Sequence, residues 1–100
     1  MLLTRLLLLN KGTIQSHPDM GVGLVENYRY AMEGEENKLR SEFKQQIDTY
    51  LPDLQGADVT VEFRDYTFYI AVTVDKTIFG FMYDIENQNL KTQYSSLSDL

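Results

Sequence analysis

Apolar side chains recur three or four residues apart before residue 52 and two apart after residue 58, so the chain divides into a helical first half and a strand-forming second half. Leu2, Leu3, Leu6, Leu7 and Leu9 give one wide apolar face of a short helix, with Thr4 and Arg5 on the other side. The unbroken run Leu6, Leu7, Leu8, Leu9 has no period of its own and also fits a buried strand; helix is the expected state. Asn10, Lys11 and Gly12 read as its stop, because Asn and Gly accept the left-handed conformation that closes a helix. Residues 12–23 hold three of the six glycines and one of the two prolines, which predicts a structured loop. A short helix within residues 24–32 should end before Gly34. From Glu35 onward Leu39, Phe43, Ile47, and then Tyr50 or Leu51, draw one stripe on a helix of about four turns. Glu36 with Arg40 and Lys38 with Glu42 are spaced to pair on its wet side. Pro52 ends it by driving the residue before it out of helical geometry.

After Gly56 the period becomes two. Val59, Val61 and Phe63 alternate with Thr60, Glu62 and Arg64; Phe68, Ile70, Val72 and Val74 alternate with Tyr69, Ala71 and Thr73. Residues 64–67 and 75–77 are short enough for hairpin turns, so residues 78–85 should return as a third antiparallel strand. Helices first and strands second predict an α+β fold, N-terminal helices followed by a small antiparallel β meander, in a single domain over residues 1–100. Residues 67–74 should be central, and the strand carrying Ile78, Phe79, Phe81 and Tyr83 should be the open edge. Residues 87–100 form a polar C-terminal tail anchored only by Leu90, Tyr94, Leu97 and Leu100. The serine-rich end at 93–100 would be mobile alone, and it is expected to be tied down by a neighbouring chain or along its own sheet.

Composition narrows the function. With 100 residues and 43% apolar content the chain can bury one core and has no room for a separate catalytic domain. Absence of cysteine removes disulfides and thiolate metal sites, and fits a reducing cytoplasm. A net charge of −6, with nine Lys and Arg scattered among fifteen acids, lacks the basic patch that a phosphate backbone requires, so no nucleic-acid partner is expected. Arg5 interrupts the opening leucines and no small-residue cleavage site follows, so the start reads as mature protein. No stretch approaches the roughly 18 apolar residues of a membrane span, and no membrane partner is expected.

Candidate chemistry is thin. Ser16, His17 and Asp19 are the residue types of a hydrolase triad, yet working triads are assembled from distant positions, and beside Pro18 these read as turn formers. His17 is the only histidine, and a metal would need further ligands around it. Gly21, Val22 and Gly23 fall short of a phosphate-binding fingerprint, since Glu26 stands where the third glycine belongs. Glu33, Glu35 and Glu36 with Asp84 and Glu86 could supply two facing carboxylates for glycoside hydrolysis, but among fifteen acids such pairs arise by chance. Asp84, Glu86, Asn87 and Asn89 lack the glycine and final glutamate of a calcium loop. No catalytic residue, metal or cofactor is therefore expected. The aromatics are more informative: Tyr66, Tyr69, Phe79, Phe81 and Tyr83 fall in or beside the strands, where alternation turns some outward, either for protein contacts or for ordinary cross-strand pairing.

The order of these signals carries a resemblance. Leu6-Leu7-Leu8-Leu9-Asn10-Lys11-Gly12-Thr13, then His17-Pro18-Asp19-Met20-Gly21-Val22-Gly23-Leu24, then an amphipathic helix closed by proline, then β hairpins, resembles the baseplate wedge and sheath-initiator family of contractile phage tails. That family has members in type VI secretion and related injection systems, some bearing a lysozyme label. The resemblance covers roughly residues 2–83, and its most specific element is Pro18-Asp19-Met20-Gly21, where the family has proline, any residue, an aromatic and glycine. Thr13 replaces the family's usual glutamate, Met20 replaces the aromatic, and Leu51-Pro52-Asp53 stands where the family shows glutamate, proline and arginine.

The resemblance implies a structural protein of the virion, assembled in the host cytoplasm and repeated around the tail axis. Its partners would be other baseplate wedge proteins and the tail sheath protein. Pro18, Met20 and Gly21 would fix the loop against the helices, Leu51, Pro52 and Asp53 would meet the wedge, and the edge at Ile78, Phe79, Phe81 and Tyr83 would accept sheath strands. Rival readings are a peptidoglycan hydrolase, which turnover of cell wall would reveal, and a free-standing cytoplasmic adaptor, which gene neighbourhood would separate.

Overall fold

The opening leucines form a helix in the computed structural model, which describes residues 2–96 and, for residues 93–96, the backbone. Helix α1 spans Leu2–Leu8; Leu3, Leu6 and Leu7 are buried, while Leu2 and Leu8 face outward. Spacings of three and one among the buried residues decide for helix, since a strand would bury every second leucine. Helix α2, Leu24–Asn27, is shorter than its sequence suggests: Tyr28 leaves helical geometry at φ −122° and drives its ring into the core, edge-on to Phe68. The long helix α3, Glu36–Tyr50, buries Leu39, Phe43 and Ile47, the expected stripe, and Leu51 just beyond it. Leu51 adopts φ −125° and ψ 72°, as the steric demand of a following proline dictates, and Pro52–Leu54 then make one 3₁₀ turn.

The two ion pairs expected on α3 are absent among the described residues. Lys38 and Glu42 instead converge on Tyr28, the ammonium 5.2 Å from the ring centroid and the carboxylate accepting from the hydroxyl at 3.1 Å. The ion pair within α3 is Lys44–Asp48, at 3.7 Å.

Four strands follow: β1 Asp58–Arg64, β2 Thr67–Val74, β3 Thr77–Asp84 and β4 Asn89–Ser96, antiparallel in the order β1-β2-β3-β4. The first hairpin turns on Asp65 and Tyr66, both at positive φ (52° and 57°), the geometry whose twist matches that of paired strands. Strand β2 is central, as expected. Alternation sends Val59, Phe68, Ile70, Val72, Phe81 and Tyr83 into the core under α3, where Phe43 meets Phe81 edge to face at 6.3 Å.

The expected open edge is corrected by the fourth strand. β4 pairs along the whole of β3, from Thr77↔Ser96 to Asp84↔Asn89, so the strand carrying Ile78, Phe79, Phe81 and Tyr83 is internal. The physical reason is that the unpaired N–H and C=O groups of β3 are satisfied by the next segment of the same chain. Part of the polar tail is thus held along its own sheet, and the edge strands are β1 and β4. Residues 97–100, including the expected anchors Leu97 and Leu100, and the side chain of Tyr94 lie outside what is described.

Candidate protein-binding site

Glycine at position 21 is required by the way the chain returns over α1. Gly21 has φ +119°, and a Cβ there would run into the carbonyl oxygen of Leu9 and stand 2.7 Å from its carbonyl carbon. Close approach is held from both flanks. The Val22 N–H donates to the Leu6 carbonyl at 2.9 Å, the Lys11 ammonium to the Gly21 carbonyl at 2.8 Å, and the Gly12 N–H to the Pro18 carbonyl at 2.7 Å.

A side chain of α3 completes the fastening. Gln46, only 3% exposed, accepts from the Gly21 N–H at 2.7 Å and donates to the Asp19 carbonyl at 2.9 Å. One amide therefore answers a backbone donor and a backbone acceptor of the same loop, as a strand partner would. Gln46 carries no chemical signal of its own in the sequence because it is a single neutral polar residue. Its place three residues after Phe43 and four before Tyr50 puts it on the buried stripe, and that is the signal that could have found it.

Around this clamp the loop residues divide their roles. Pro18 is exposed and contributes its carbonyl, while Met20 is half-buried against the core. His17 lays its ring edge-on to Tyr50, centroids 5.7 Å apart, so the loop reaches the last turn of α3 immediately ahead of Leu51, Pro52 and Asp53. Leu51 is buried; Pro52 and Asp53 are exposed. The exit of α3 is tied down by Lys44, which donates to the Ala57 carbonyl at 3.0 Å, and by Asp48, which accepts from the Gly56 N–H at 3.2 Å. The two motif segments thus border one end of α3 and leave exposed side chains on a firmly held backbone.

The strand residues belong elsewhere. Phe81 and Tyr83 are buried, Phe79 is half-buried against the core, and Ile78 is half-buried on the opposite face, so these four do not form one surface. The Tyr83 hydroxyl has no hydrogen-bond partner among the described residues. Burial pushes its pKa up, with the positive charge of Arg29 opposing. Tyr28 is shifted up as well, first by burial and then by the charge and hydrogen bond of Glu42. On the outer sheet face Tyr69 is half-buried beneath the Arg64 guanidinium, 4.4 Å from its ring centroid.

Among the described residues no hydrogen bond joins the side chains of Ser16, His17 and Asp19, and no three His, Cys, Asp or Glu residues lie close enough to hold a metal. Asp84 is occupied within its turn, accepting from the Asn87 amide at 2.7 Å and the Asn87 N–H at 3.3 Å, which hold its carboxyl below its usual range. No helix among the described residues is long and apolar enough to cross a membrane.

Comparison with family models, curated proteins and solved structures finds no match for this chain.

Proposed function

We propose that this chain is a structural component of a contractile-tail baseplate, docking to wedge proteins through the end of α3 and templating the first sheath ring by strand addition. The observation that carries the reading is the clamp at Gly21. The tetrapeptide on which the resemblance rests, Pro18-Asp19-Met20-Gly21, contributes the Pro18 carbonyl, the Asp19 carbonyl, the Met20 side chain and the Gly21 backbone to one fastened loop. A motif kept for assembly needs this kind of rigid presentation.

Strand addition moves to an edge that is free among the described residues. β1 guards itself with exposed Asp58, Glu62 and Arg64 in seven residues, whereas β4 carries one charge, Lys91. Charges along an edge disfavour a further strand, so β4 is the acceptor. Successive N–H groups of a strand point to opposite sides, so Lys91→Pro and Thr92→Pro remove donors from opposite edges of β4. One should weaken pairing with β3, and the other should leave the fold intact and block sheath nucleation on purified baseplates. Normal sheath growth on both variants would sink the strand-addition step. Absence of sheath and tube genes around this one would sink the baseplate reading as a whole.

A further inference from the structure

Five large apolar side chains are exposed among the described residues, and three of them, Tyr30 (85%), Met32 (71%) and Tyr66 (60%), line one groove. The groove lies where the α2–α3 connection meets the turns at 65–66 and 85–88, and its wall includes Arg29 and Glu86. Tyr66 is there against local preference. It occupies a turn position at φ +57°, where glycine or asparagine relieves the backbone and a bulky ring does not. A residue that strains its turn and is still 60% exposed, although its ring meets Phe63 edge-on, points to a contact outside the chain.

Charge around the groove says what kind of contact. Arg29 is already bridged to Glu26 at 3.4 Å. Glu86 lines the groove and is in no ion pair among the described residues. Tyrosine rings in one groove with an unpaired carboxylate suit a planar cation, which stacks on a ring while its N–H groups reach the acid.

We propose that this groove binds an extended protein segment presenting an arginine beside an apolar side chain. The arginine stacks on Tyr30 or Tyr66 and pairs with Glu86, and the apolar neighbour covers Met32. The site lies at the turn ahead of β4 and does not depend on the baseplate reading.

The test is titration of the isotopically labelled full chain with a blocked hexapeptide of alternating arginine and leucine, read by amide shifts. Saturable shifts confined to the neighbourhood of Tyr30, Met32, Tyr66 and Glu86 are expected, with affinity reduced about fivefold or more by Tyr30→Ser and about threefold by Glu86→Gln at low salt. Equal shifts with glutamate replacing arginine in the peptide would overturn the proposal. Concentration-dependent dimers that Tyr30→Ser dissolves, with no peptide shifts, would overturn it in favour of self-association. Tyr66→Gly separates binding from folding. It should raise the melting temperature by relaxing the turn and still weaken the peptide; a lowered melting temperature would show that Tyr66 is kept for its edge contact with Phe63, centroids 6.4 Å apart, and remove it from the site.

Discussion

In the loop of residues 12–23 the backbone follows no regular pattern, yet its polar groups are taken by α1, by Lys11 and by Gln46 of α3. In β4 the backbone is regular, but among the described residues the strand has a neighbour on one side only. The loop is therefore fastened through individual bonds to distant residues, each of which can be cut by one substitution. β4 is fastened by a repeating ladder, from which single side chains remove little. Local rigidity follows from where the backbone hydrogen bonds go and not from whether the segment has a named secondary structure.

The contrast is broken most severely at Gly21. Gly21→Val adds a Cβ into the Leu9 carbonyl and forces a β-branched residue to φ +119°, so strain and overpacking together should cost roughly 2–6 kcal/mol. For a domain of this size that is a large part of the total. Chemical denaturation measures it. A variant as stable as the parent would mean that the backbone at position 21 does not pass this close to Leu9.

Next in size is Gln46. Gln46→Ala leaves the Gly21 N–H and the Asp19 carbonyl without their partner, at about 1–3 kcal/mol for each group left unsatisfied. Gln46→Glu keeps the volume and the acceptor for Gly21 but sets a buried carboxylate oxygen against the Asp19 carbonyl, so near neutral pH it too should lose stability. A Gln46→Glu variant as stable as the parent would show that the side chain acts by volume and not as a two-ended clamp.

Sequence alone showed the clamp's outline and missed its closure. The glycine and proline concentration marked a structured loop, and the spacing of Leu39, Phe43 and Ile47 marked the buried side of α3, because both depend on local geometry. Gln46 stayed hidden because a polar residue on a buried stripe becomes explicable only when the loop that it serves is in place. β4 was hidden for a different reason. Leu90 and Thr92 alternate with Asn89 and Lys91 after a turn, which is a strand signal, but the low apolar content of the segment concealed it. Strand pairing depends on an edge being open beside it, and that is a property of β3, not of the tail.

Leu90 offers a smaller and more local test. It is half-buried against the core, so Leu90→Ala should cost about 1–2 kcal/mol, less than a fully enclosed leucine. Hydrogen exchange should show the loss in β4 first, while the amides of Gly21 and Val22 keep their protection. Equal loss in both regions would show that they open as one unit and remove the contrast between them.

The smallest effect concerns the turn that leads into β4. Asp84 closes the β3 side of that turn, and its carboxyl is held below the ordinary value of 3.8, chiefly by the Asn87 side-chain amide and then by the Asn87 backbone N–H. A depressed carboxylate pKa contributes stability that is present above the unfolded value and is lost as pH falls through the folded one, so this turn should loosen only in acid, below the ordinary carboxylate range. Near neutral pH the contribution is complete but small, because Asp84 is screened by solvent. Carboxyl NMR should find Asp84 titrating below 3.8 in the parent and moving upward in Asn87→Ala, with β4 amides exchanging slightly faster and those of the 12–23 loop unchanged. An Asp84 that titrates at its ordinary value in the parent would show that the turn is held by backbone geometry alone, and β4 would then owe its place entirely to the ladder with β3.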